Sequence, residues 1–287
     1  MLYGLTRAGL GDIGSDEQFL KKAAHYGFEA VDIDALGLIK RHGIENAQEL
    51  LRQNQMVIGS IGLPVEWRQS DAVFRDGLTG LTEAAEAAAA LGCTACCTYI
   101  LPSTDQKASH FMALATKRMR IAARILDAYG IRLGLEFVGP HHLRTGWANP
   151  FIWTMEETLD WIDAIGEPNV GLLFDAYHWH TNGSTVEDIY KLRADQIVHV
   201  HINDAPDVPV EDVLDNARLY PGEGVIDLPG FLHALHHIGY AGVVAQEILT
   251  QMAPSDSSET LLNRSSKGFD KVFQAAAIRR TKRGDGE

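Results

Sequence analysis

Residues 170–204 read VGLLFDAYHWHTNGSTVEDIYKLRADQIVHVHIND. Two short β-rich apolar runs, Val170 to Ala176 and Ile197 to Asn203, flank a segment containing Ser184-Thr-Val-Glu187, whose spacing is that of a helix capping box. Strand, helix and strand in succession make a βαβ unit, the connection that parallel strands require. The same alternation extends in both directions. Further strands are expected at Leu2 to Thr6, Ala30 to Ala35, Val57 to Leu63, Thr94 to Leu101, Ile131 to Val138 and Gly242 to Leu249, eight in all. Ser15-Asp-Glu-Gln18 and Thr154-Met-Glu-Glu157 start helices that end at Gly27 and Gly166, and Gly92, Gly130 and Gly239 break helices just before the next strand. A final helix is expected after Ser255 through Ala277.

Eight strands each followed by a helix, with no Ser/Gly/Pro linker between halves, predict one α/β domain over residues 1–287: a single (β/α)8 TIM barrel. A doubly wound sheet is the competing arrangement, but no G-x-G-x-x-G follows the first strand. The basic residues Arg279, Arg280, Lys282 and Arg283 read as a frayed, disordered tail over 279–287.

The composition narrows the function. The 287 residues are 46% hydrophobic and 22% charged, with 25 Lys plus Arg against 38 Asp plus Glu, a net charge of −13. Such a surface repels phosphate backbones and anionic lipids, which argues against a nucleic-acid or membrane partner. No apolar run is long enough to span a bilayer and no signal peptide is apparent, so a cytoplasmic protein is expected. The three cysteines, Cys93, Cys96 and Cys97, lie together in an apolar stretch. They read as buried thiols of a core strand rather than as a zinc or redox C-x-x-C.

A barrel presents its chemistry at the C-terminal ends of its strands. Glu136 ends the fifth apolar run, Asp175 the sixth, His201 lies near the end of the seventh, and Glu247 near the end of the eighth. An acid or imidazole in such a place is, taken singly, most often a solvated charge or a satisfied core residue. Four at corresponding places in successive strands are another matter. Alternation by two turns all four toward the mouth, where three carboxylates would repel one another unless a divalent cation held them, with the imidazole as fourth ligand. His199, one pleat deeper, reads as a hydrogen-bonded filler or a support for the ligands.

Together, Glu136, Asp175 with His178 three residues on, His201 with Asp204 three residues on, and Glu247 resemble the xylose-isomerase-like sugar isomerase and epimerase superfamily. It includes inosose isomerases and dehydratases, hydroxypyruvate isomerase and ketose 3-epimerases. The segment Arg218-Leu-Tyr-Pro221-Gly222-Glu223-Gly224 extends the likeness along nearly the whole chain. The resemblance implies one divalent ion per chain, Mn2+ first and Mg2+, Co2+ or Zn2+ as alternatives, held by Glu136, Asp175, His201 and Glu247. His178, Arg218 and Asp204 would touch substrate, Asp204 standing where many 3-epimerases carry Glu. Between Pro206 and Arg218 lie Asp207, Glu211, Asp212 and Asp215, an insertion expected to form a loop over the mouth.

The expected reaction is proton transfer through a metal-stabilised enediolate of a non-phosphorylated keto-sugar or cyclitol, with Glu136 and Glu247 as the catalytic acid and base. Return of the proton to the opposite face inverts the carbon, and return to the neighbouring carbon moves the carbonyl. Expulsion of a β-substituent would make the enzyme a dehydratase or other lyase. An abasic-site endonuclease would need further histidines on the third and fourth strands, where Leu63-Pro64 and Tyr99-Ile100 stand. The loop from Val138 to Trp153, with His142 and Trp147, is expected to cross the mouth and set specificity. A homo-oligomer is compatible with such a barrel.

Overall fold

A computed structural model describes residues 1–278, and the basic tail lies outside the described residues. Nine strands form one parallel sheet: β1 (Leu2–Leu5), β2 (Ala30–Val31), β3 (Val57–Ile58), β4 (Ile61–Gly62), β5 (Ala95–Ile100), β7 (Arg132–Phe137), β9 (Val170–Asp175), β10 (Ile197–Ile202) and β11 (Val243–Gln246). The hydrogen-bonded order is β3-β2-β1-β11-β10-β9-β7-β5-β4. Its two ends, β3 and β4, are consecutive in the chain and are halves of one interrupted strand. The sheet therefore curls into the (β/α)8 TIM barrel that the alternation predicts.

The third strand, expected to run unbroken from Val57 to Leu63, is interrupted at Gly59-Ser60. A Cβ on Gly59 would stand 2.6 Å from Asp32 Oδ1 and 3.1 Å from His199 Cε1, so the backbone there lies against a buried acid–imidazole pair. The second strand is shorter than expected. Asp34 accepts a hydrogen bond from Gly37 N at 2.9 Å and becomes the N-cap of a helix over Ala35–His42. An aspartate three residues past a strand competes for local backbone donors and starts the helix early.

The capping boxes at Ser15/Gln18 and Thr154/Glu157 form and open helices Asp16–His25 and Met155–Ile165. The third forms one residue later than expected, on Thr185 and Asp188, because the short helix begins only at Val186. The last helix spans Ser258–Ala275. Cys93, Cys96 and Cys97 are buried free thiols, and burial pushes the Cys93 thiol up to about 11. Trp67 stacks on Phe111 with centroids 5.7 Å apart, and Trp179 packs against Phe231, so both tryptophans are core residues.

A feature without a clear sequence signal fixes the long loop. β6 (Ser103–Thr104) pairs antiparallel with β8 (Asn149–Pro150), joining the loop after β5 to the loop after β7. Ser103 Oγ accepts from Trp147 N at 3.2 Å and Asp105 Oδ1 from Ala148 N at 3.3 Å. These contacts tie the 138–153 loop to the segment after β5. No described helix is long and apolar enough to cross a membrane.

Candidate metal centre and active site

The ends of β7, β9, β10 and β11 bring one set of donors together. Ligating atoms of Glu136, Asp175, His201 and Glu247 all lie within 4.8 Å of one another. His201 is paired in register with Asp175 on one side and Ala245 on the other, so Glu247, two residues beyond Ala245, reaches the same level from just past β11. In β10 the register with β9 shifts between Ile197 and His199, a bulge that leaves both His199 and His201 available to the barrel interior.

Each donor is oriented by neighbours. Asp175 ends its strand and caps the helix Ala176–Thr181, its Oδ1 accepting from Tyr177 N at 2.7 Å and from Asn203 Nδ2 at 3.0 Å. Oδ2 is left to face Arg218 Nη1 at 2.8 Å. Nη1 also reaches Glu247 Oε2 at 2.9 Å, and Nη2 donates to Asp215 Oδ1 at 2.8 Å. His178 accepts from Gly139 N on Nδ1 at 3.3 Å, which turns Nε2 toward Glu136 Oε1, 3.9 Å away. His201 Nε2 is 3.2 Å from Asp32 Oδ2, leaving Nδ1 aimed at the carboxylates, 3.7 Å from Glu136 Oε1 and 3.6 Å from Glu247 Oε2.

The electrostatics follow from burial set against these partners. Burial alone raises all three carboxyls. For Asp175 the Arg218 charge, followed by His178 and His201, outweighs it and holds the group at about 2. For Glu247, His201 and then Arg218 outweigh burial and lower it. For Glu136 burial prevails over His201 and His178, and the group is raised. Burial opposes charge on His201, but Glu247 and the Asp32 contact raise it well above its ordinary value.

A divalent cation fits this donor set. Glu136 Oε1 and His201 Nδ1 are buried without a hydrogen-bond partner, and both belong to the converging group. Unpaired buried polar atoms are costly, and three carboxylate oxygens with one imidazole nitrogen are ligands that suit first-row divalent ions. The four residues are thus a candidate metal site.

Sequence reasoning missed Asp32. Its Oδ2 is 2.8 Å from His199 Nε2 as well as 3.2 Å from His201 Nε2. Burial would raise this carboxyl, but His199 and then His201 reverse the shift and lower it. The arrangement fixes the ring plane of His201, as carboxylates behind metal-binding histidines commonly do. Asn203, which holds both Asp175 oxygens and the backbone of Glu247, was also missed.

The remaining expected contacts divide. His178 and Arg218 are buried beside the donors. Arg218 spends its guanidinium on Asp175, Glu247 and Asp215, so the 207–215 insertion supplies a carboxylate to the arginine rather than only a cover. The Asp204 carboxylate, expected at the substrate, accepts from the backbone N–H groups of Ala205, Gly222 and Ile226, clasping the Pro221–Gly224 turn. Gly224 is required there, since a Cβ would stand 2.6 Å from Asp204 Oδ1. His142 is exposed on the short helix His141–Arg144, and neither it nor Trp147 lines the cavity at the donors. That cavity, about 350 Å³, is bounded by Thr6, Asp32, Asp34, Ser60, Thr98 and Tyr99 opposite Glu136, His201 and Glu247.

The sequence pattern of the xylose isomerase-like TIM barrel family matches residues 20–265, and the chain belongs to that family. It is similar to the inosose isomerase of Bacillus velezensis, 37% identical over 124 residues, 43% of this chain and 42% of that protein. A ketose 3-epimerase of Arthrobacter globiformis is 25% identical over 272 residues, covering 90% of this chain and 86% of the relative. The match to the inosose isomerase spans less than half of that relative's length. Among solved structures, a xylose isomerase domain protein from Alicyclobacillus acidocaldarius superposes with a TM-score of 0.90 at 33% identity, covering 96% and 99% of the two chains. The IOLI protein, solved with a bound zinc atom, superposes with a TM-score of 0.82 at 20% identity over 98% of this chain and 100% of that one, a likeness of fold.

Proposed function

We propose that the protein is a divalent-metal-dependent isomerase or epimerase of a non-phosphorylated keto-sugar or cyclitol, with the whole chain acting as one barrel domain. The observation that carries this is the convergence of Glu136, Asp175, His201 and Glu247 within 4.8 Å at the barrel mouth. The likeness to an inosose isomerase and a ketose 3-epimerase supports the same reading.

Glu136, Asp175, His201 and Glu247 would hold the ion, Mn2+ in the first instance, and when bound it would supply Lewis-acid stabilisation of negative charge on the substrate. The chain's own residues supply the rest. Glu136 and Glu247 come from β7 and from the end of β11, with β9 and β10 between them, so they meet a sugar from different sides. One takes the proton from the carbon next to the carbonyl and the other returns it. His178 Nε2 lies 3.9 Å from Glu136 Oε1 and 3.3 Å from Arg218 Nη2, beside the donor cluster, and Arg218 stabilises the ionised forms of Asp175 and Glu247. Among the described residues no lysine or arginine lines the cavity, which favours an uncharged substrate over a phosphorylated one.

The test is solvent exchange. Protein loaded with Mn2+ is incubated in D2O with a panel of free ketoses and inososes. Incorporation of deuterium into an epimer or isomer, abolished by EDTA and restored by the ion, is expected. An unsaturated ketone or an expelled group would move the assignment to a lyase, and no exchange with any sugar would overturn it.

A further inference from the structure

A second cavity adjoins the first. It measures about 230 Å³ and is lined by Trp67, Arg68, Gln106, Phe111 and Trp147 together with Leu101, Ser103, Thr104 and Asp105. Its walls come from the segments after β4, β5 and β7, so it opens on the same face of the barrel as the candidate metal site. The two spaces share a partition. Tyr99 lines the first, is paired in register with Glu136, and carries the Arg68 guanidinium 4.3 Å above its ring. Thr98, also on the first cavity, accepts from Trp67 Nε1 at 3.1 Å, and Trp67 lines the second.

The chemistry of the second space is aromatic on the sides and polar at the rim. Trp147 is 38% exposed and Tyr99 45%, an unusual exposure for two large rings on one side of a mouth. Arg68 is paired with Glu66 at 2.9 Å, so its charge is already neutralised and the site offers no free cation for a carboxylate or phosphate. The part-exposed Trp147 indole beside the Asp105 carboxylate and the Gln106 amide suits a neutral ring with apolar faces and hydroxyl edges, which describes a sugar. A cavity of about 350 Å³ is near the lower end of ligand-sized pockets and suffices for one such ring at the donors.

We propose that the second cavity binds another sugar ring, so that the substrate is a keto-sugar or cyclitol bearing a glycosyl group at its distal end. The ketone end lies at Glu136 and Glu247, the linkage crosses the Tyr99–Arg68 partition, and the outer ring stacks on Trp147. This rests on the keto-sugar reading above, and binding and exchange are measured separately so that each can fail alone.

The experiment is calorimetric titration of the Mn2+-loaded protein with D-fructose, with isomaltulose, which is fructose carrying glucose on O6, and with lactulose, which carries galactose on O4. At least one disaccharide is expected to bind about tenfold or more tighter than fructose, the magnitude of one aromatic stacking contact at the favourable end. Trp147→Ala, on the surface, and Arg68→Ala should bring that ratio toward one, with thermal melting showing that both variants fold. A ratio at or below one in the wild type, or equal weakening of both sugar classes by Trp147→Ala, would overturn the proposal. Tight disaccharide binding without deuterium exchange would support the second site while breaking the isomerase reading. Exchange on fructose with no gain for either disaccharide would do the reverse.

Discussion

Strands β5, β7, β9 and β10 are six residues long, and β7, β9 and β10 with the end of β11 carry Glu136, Asp175, His201 and Glu247. On the other side of the barrel β2, β3 and β4 are two residues each, and the polar residues there that face the cavity are Thr6, Asp32, Asp34 and Ser60. The first region has rigid, extensively paired backbone under charged side chains whose mutual repulsion must be held in check. The second has short strands and contributes Trp67 to the second cavity, whose other aromatic residues, Phe111 and Trp147, follow β5 and β7. The division suggests that one side holds the reacting atoms in place while the other side sets what fits beside them. Asp32 is the exception: it stands on the short-strand side yet its carboxylate serves His201 across the barrel.

The largest expected effect tests the long-strand side directly. Glu247→Gln should lower deuterium exchange by at least about 10²-fold while sugar affinity, measured by titration, stays within a few-fold. A variant that still exchanged at the wild-type rate would show that the proton is handled elsewhere, and the contrast between the two sides would lose its basis.

Asp32→Asn sharpens the contrast from the other side. Removing the carboxylate charge behind a metal-binding imidazole commonly weakens metal binding by about 10- to 100-fold. Competition with a chromophoric chelator should show such a loss of Mn2+ or Co2+ affinity, accompanied by a changed visible spectrum of the Co2+ form. An unchanged affinity would reduce Asp32 to a core ion pair of His199.

The legibility of these two residues differs for a physical reason. Glu136, Asp175, His201 and Glu247 each follow an apolar run long enough to be recognised as a strand, so their common level could be read from alternation. Asp32 follows a strand of two residues and precedes Asp34, a helix cap, and the stretch therefore looks like an ordinary polar turn. Its partners are 167 and 169 residues away, a pairing that only barrel closure creates. The barrel itself was legible, because eight repeats of one pattern reinforce each other. The break at Gly59 and the β6–β8 pair were not, since both depend on contacts between segments distant in sequence. The same pair explains why Trp147 lies at the second cavity, whereas the length of the 138–153 loop predicts that it crosses the mouth.

A smaller effect concerns stability. Asp204 ties three backbone N–H groups of the 205–226 segment, and Asp204→Ala would leave buried donors without partners. A loss of about 1 to 3 kcal/mol in urea unfolding is expected, with the Arg218 turn loosened. Selective loss of sugar affinity with unchanged stability would instead return Asp204 to the substrate.

The smallest signal is a proton. In the metal-free protein Glu247 and the Asp32 contact raise His201 well above its ordinary value and so favour the protonated ring. The stability this contributes is fully present below 6.5 and disappears as pH rises through the raised folded value. A cation needs the neutral ring, so binding at pH 7 should release about one proton per chain and affinity should climb with pH. Titrations in buffers of different ionisation enthalpy read the release directly. Asp32→Asn removes one of the groups that hold the proton and should make the release smaller, whereas a change confined to the second cavity, such as Trp147→Ala, should leave it as it is. Equal proton release in all three proteins would mean that His201 is not held from the short-strand side, and the two regions would then act independently.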